Sequence, residues 1–79
     1  MPKNLEVVVV DPDVNSRADT ARALALGHFS VSGEAGYGID AVTMAKEKNP
    51  DIIVLSMEEP VVRATQTMSS LADALPDTP

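Results

Sequence analysis

The chain has 79 residues, 44% of them hydrophobic, and six Lys+Arg against twelve Asp+Glu give a formal charge of −6; this allows one small domain and disfavours nucleic acid and anionic membrane surfaces, which call for a basic footprint. There is no cysteine, hence no disulfide framework or thiolate metal site, and the single histidine, His28, excludes a multi-histidine zinc centre. No apolar run approaches the ~18 residues of a membrane span and Val7–Val10 is too short for a signal-peptide core, so a soluble, cytoplasmic chain is expected, with an aliphatic core because Phe29 and Tyr37 are the only aromatics.

Val7–Val10 is continuous and β-branched, which predicts a strand covered on both faces, as in a parallel sheet. Pro12 stops it. Asp13 is an N-cap for a helix that runs to Gly27, with Val14, Ala18, Ala21, Leu24 and Ala25 on one face. Gly27 suits the residue just past the helix, where φ > 0 costs glycine nothing. Phe29–Ala35 alternates apolar and small polar residues and predicts a second strand with one wetter face, at a sheet edge.

Gly36-Tyr37-Gly38 turns the chain into a second helix carrying Ile39, Val42 and Ala45, which ends at Asn49 because the residue before Pro50 is pushed out of the α region. Asp51–Ser56 is a third strand, again apolar. Met57-Glu58-Glu59-Pro60 is a loop. Val61, Thr65, Met68, Leu71, Ala72 and Leu75 recur at helical spacing in a third helix, and Pro76–Pro79 leads away from it. The order β-α-β-α-β-α implies an α/β fold with a parallel sheet and right-handed crossovers.

In open α/β sheets, sites lie outside the carboxyl ends of the strands. The first and third strands end in Asp11-Pro12-Asp13 and Ser56-Met57-Glu58-Glu59. If they are neighbours, carboxylates converge there, and oxygen ligands without His or Cys suit Mg²⁺ or Ca²⁺; Asp11, Asp13 and Glu58 are the candidates. A structural reading competes: Asp13 caps a helix, and Glu58 and Glu59 are solvated beside the next helix's N-terminal dipole. Gly33–Gly38 is glycine-rich but lacks the Gly-Lys-Ser/Thr of a phosphate loop and reads as a turn. Ser56 has no histidine or lysine placed by sequence to activate it and no Gly-x-Ser-x-Gly elbow around it, and reads as a small residue at a strand end. Met57 and Met68 suit a core or an interface better than a cofactor box.

Val8-Val-Val-Asp11-Pro-Asp13, Arg17, Leu26-Gly-His-Phe-Ser-Val31, Gly33-Glu-Ala-Gly-Tyr-Gly38-Ile-Asp-Ala41, Asn49-Pro-Asp-Ile-Ile-Val-Leu55 and Pro60, taken in order, closely resemble a response-regulator receiver domain through nearly the whole chain. The resemblance implies a flavodoxin-like three-layer α/β sandwich whose full sheet has the order 2-1-3-4-5. This chain supplies β1-α1-β2-α2-β3-α3 with parallel strands in order 2-1-3: residues 1–79 form a partial receiver-like domain without strands four and five, or the switch Ser/Thr and lysine they carry. It implies a degenerate site as well. The family has two adjacent acids after strand one; here they are Asp11 and Pro12. Its phosphoacceptor Asp lies four residues before the loop proline, and that position is Ser56, which cannot form an acyl phosphate.

A non-catalytic pseudo-receiver acting through protein–protein contacts is therefore expected, without a cofactor. Receiver-like domains of this look occur at the N-terminus of ParA/MinD-like ATPases of tight-adherence pilus assembly. The alternatives are a domain that still binds Mg²⁺ or a phosphorylated ligand at Asp11, Asp13 and Glu58, or half of a flavodoxin-like cofactor binder. Without strand four the third strand is an exposed edge. A homodimer or larger oligomer is expected through Ile52, Val54 and Leu55, with Val61, Thr65, Met68 and Ala72 of the third helix packed across the junction.

Overall fold

The computed structural model describes residues 4–57 and 61–79. The elements are β1 (Glu6–Val10), α1 (Val14–Leu26), β2 (Ser30–Ala35), α2 (Ile39–Lys48), β3 (Ile52–Leu55) and α3 (Val61–Ala74). All strand pairings are parallel and the order is β2-β1-β3, the partial flavodoxin-like arrangement expected of the receiver type.

β1 takes the centre because its four valines have almost no exposure, as a strand covered on both faces requires. On one face Val8 and Val10 pack with Ala35, with Ala41 and Ala45 of α2, and with Leu71 of α3. On the other, Val9 lies near Thr20 of α1 and Val54 of β3. β2 is an edge strand, as predicted, and carries an irregularity: Val7 pairs with Val31 but Val8 with Gly33, so Ser32 is an extra residue. Its hydroxyl donates to the Val7 carbonyl at 3.4 Å. Gly33 is part of this strand, as the strand reading of Phe29–Ala35 expected, and the turn read over Gly33–Gly38 is confined to Gly36–Gly38. A Cβ there would stand 2.5 Å from the Met44 sulfur, so glycine lets α2 approach the sheet.

Several helical faces differ from the periodic reading. In α1 the inward row is Arg17, Thr20, Ala21 and Leu24; Val14 is 65% exposed, and Ala18 and Ala25 also face outward. Alanines on every side of this helix blur its apolar stripe, so spacing alone did not locate it. Gly27 has φ −85° and the left-handed residue is His28, at φ 70°. The chain stays right-handed for one residue longer than the glycine rule suggests. In α2 the buried residues are Ala41 and Ala45, and Ile39 is exposed. α2 ends where predicted, with Asn49 left-handed at φ 44°. In α3 the inward row is Ala64, Thr67 and Leu71, which leaves Val61, Thr65, Met68 and Ala72 on the outside. β3 is only half-buried throughout, short of the full cover its apolar run suggested.

Candidate functional site at the carboxyl ends of β1 and β3

β1 and β3 end side by side. Val10 pairs with Leu55, and the Ser56 N–H donates to the Val10 carbonyl at 2.9 Å. Asp11 and Ser56 therefore emerge together and line a cleft of about 230 Å³ with Val9, Thr20 and Val54. This is where an open α/β sheet places its ligands.

Asp11 is 3% exposed. Its backbone N–H donates to the Ala35 carbonyl at 2.9 Å, which fixes it to β2. Its Oδ1 accepts from the Asp13 N–H at 2.9 Å, a turn closed by its own side chain. Arg17 reaches across from α1. Its Nη1 donates to the Asp11 carbonyl at 3.3 Å, and its Nε lies 3.7 Å from Glu34 Oε1. Burying a carboxylate is expensive unless it is hydrogen-bonded, and the Asp13 amide meets part of that demand.

Asp13 has a structural task. Its Oδ1 accepts from Asn15 N–H at 2.8 Å and Ser16 N–H at 3.2 Å, capping α1. Of the three predicted metal ligands, Asp11 lines the cleft, Asp13 caps a helix and Glu58 lies outside the described residues, as do Glu59 and Pro60. Among the described residues no three His, Cys, Asp or Glu side chains are grouped so that they could hold a metal ion.

Sequence reading missed Tyr37, which it placed only in a turn. Its hydroxyl donates to the Ser56 carbonyl, tying the start of α2 to the end of β3. The next residue, Gly38, has φ 84°, and its N–H donates to Thr67 Oγ1 at 3.0 Å. Thr67 in turn donates to the Arg63 carbonyl at 2.9 Å. No sequence motif signals these bonds, because each joins residues far apart in the chain or uses a side chain with many alternatives.

β3 is the other edge of the sheet among the described residues. The Ile53 N–H donates to the Pro79 carbonyl at 2.8 Å, so the chain's last residue touches the edge predicted to pair with a partner. Beside it, Ile53, Leu55, Met68, Leu71 and Ala72 line an apolar groove of about 240 Å³.

No family model matches the chain. It is 37% identical over 50 residues to the uncharacterized transcriptional regulatory protein YxjL of Bacillus subtilis, covering 63% of this chain and 23% of that protein. It is 33% identical over 75 residues to a protein-glutamate methylesterase/protein-glutamine glutaminase of Bacillus licheniformis, covering 91% of this chain and 21% of that one. Thus the chain spans between a fifth and a quarter of the curated relatives it matches. These likenesses, with the strand order 2-1-3, support a receiver-type domain of two-component systems. Among the described residues no helix is long and apolar enough to cross a membrane.

Proposed function

We propose that this chain is a pseudo-receiver: a receiver-type scaffold without phosphoryl chemistry, acting in signalling or assembly through protein–protein contacts. The observation that carries this reading is Ser56 at the end of β3, in one cleft with the buried Asp11. A phosphoacceptor at this place must be a carboxylate, because the acyl phosphate forms on a carboxyl oxygen. A serine hydroxyl forms a phosphate ester and not an acyl phosphate, so Ser56 does not take the acceptor's role. Asp11-Pro12-Asp13 and Ser56 also support placing the chain with the N-terminal modules of the ParA/MinD-like ATPases named above.

The contact surface of this proposal is β3 with the outer row of α3. Ile52, Val54 and Leu55 lie on the sheet edge, while Val61, Thr65, Met68 and Ala72 are exposed. A second copy pairs along that edge in antiparallel fashion about a two-fold axis, displacing the single bond from Ile53 to Pro79.

The buried Asp11 carboxylate favours one second reading, retained binding of Mg²⁺ or a phosphorylated ligand at Asp11, Asp13 and Glu58. Melting the chain with and without Mg²⁺ and a phosphate mimic separates the two. A site filled to about 100 times its dissociation constant adds ~2.7 kcal/mol, which raises the midpoint of so small a domain by several degrees. The pseudo-receiver reading expects no such rise. A rise that disappears in Asp11→Asn would establish the second reading instead.

A further inference from the structure

The groove between α2 and α3 is separate from both the Asp11–Ser56 cleft and the β3 edge. It has a volume of about 440 Å³, and Ile39, Val42, Arg63, Gln66, Thr67 and Ser70 line it, with Gly38 at one end. Two features set it apart. Ile39 is 79% exposed although it opens a helix whose other face is buried. Among the described residues Arg63 is the only charged one in the lining, on a chain of net charge −6, and it has no ion-pair partner among them. One hydrogen bond ties the walls together at this end: the Gly38 N–H, at the start of α2, donates to Thr67 Oγ1 of α3, while the Thr67 hydroxyl donates to the Arg63 carbonyl within α3.

From this we infer that the α2–α3 groove docks an acidic amphipathic helix of a partner protein. An aliphatic side chain of that helix covers Ile39 and Val42, and a Glu or Asp meets Arg63. Gln66 and Ser70 follow Arg63 at helical spacing and offer hydrogen bonds along the same row. Two helices side by side leave a channel into which the ridge of a third fits. Apolar contact supplies the affinity, and Arg63 sets preference for an acidic side chain over a basic one at that end of the groove. The inference rests on the reading of the chain as a contact module and names the chemistry of one contact.

The test is a titration of the ¹⁵N-labelled chain with a short helical peptide carrying leucines at i, i+4 and i+7 and glutamates along one flank. The same peptide with lysine for glutamate is the control. The acidic peptide should shift the amides of Ile39, Val42, Gln66 and Ser70. Arg63→Glu should weaken binding roughly fivefold and Ile39→Ser roughly tenfold or more. Both side chains are exposed, so neither change threatens the fold. Equal binding of the lysine peptide, no shifts at millimolar peptide, or shifts confined to β3 and α3's outer row would overturn the proposal. So would concentration-dependent shifts of these amides without peptide, which would make a second copy the occupant. Ser56 chemistry is read separately, by phosphodonor treatment. A silent groove therefore leaves the pseudo-receiver reading standing, and a phosphoryl adduct leaves the groove standing.

Discussion

Thr67 shows how much one side chain can carry in a chain this short. It is 2% exposed, and its hydroxyl accepts from Gly38 and donates to Arg63. Thr67→Val keeps the shape, removes the acceptor and leaves the Gly38 N–H without it, at about 1–3 kcal/mol. Thr67→Ser keeps the hydroxyl and should retain most of the stability; thermal melts of the two variants compare them directly. The same scale explains which site residues were legible in the sequence. Asp13 was, because capping depends on local spacing that the chain itself displays. Ser56 was placed by its distance from Pro60, and the pairing of β1 with β3 brings it beside Asp11. Tyr37 and Thr67 were not, because their partners lie 19 and 29 residues away and only the folded chain brings them together.

The α1 boundaries yield two predictions at the level of the element. Asp13→Ala removes the acceptor for two N–H groups of the first turn and should cost ~1 kcal/mol, readable from urea unfolding. At the other end the glycine rule misleads. Gly27 has φ −85°, and the nearest atoms to an added Cβ stand at ordinary contact distance, the closest at 3.5 Å. Gly27→Ala should therefore stabilise the chain by ~0.4–1 kcal/mol, mainly through the unfolded state; a loss of more than that would show that residue 27 needs φ > 0. His28 holds the strained conformation instead. Strand identities were readable from the valine and isoleucine runs and from Pro12 and Pro50, whereas helix faces were not. Alanine is compatible with either side of a helix, and tertiary packing chose Ala64 over Val61 and Ala41 over Ile39.

On the scale of the whole molecule, a three-stranded sheet with an apolar edge and apolar residues exposed on α3 is a surface that invites covering. The proposed edge pairing predicts a dimer or larger species by sedimentation. Val54→Lys should dissociate or unfold it, and a well-folded monomer at high micromolar concentration would contradict the pairing. The central claim, that the scaffold stands without phosphoryl chemistry, depends on Ser56 beside Asp11 and is tested without reference to any partner. The chain is incubated with Mg²⁺ and a small acyl-phosphate donor, and its intact mass is read at neutral pH before any acyl phosphate hydrolyses. The account predicts an unchanged mass. A stoichiometric phosphoryl adduct, acid-labile or acid-stable, would contradict it.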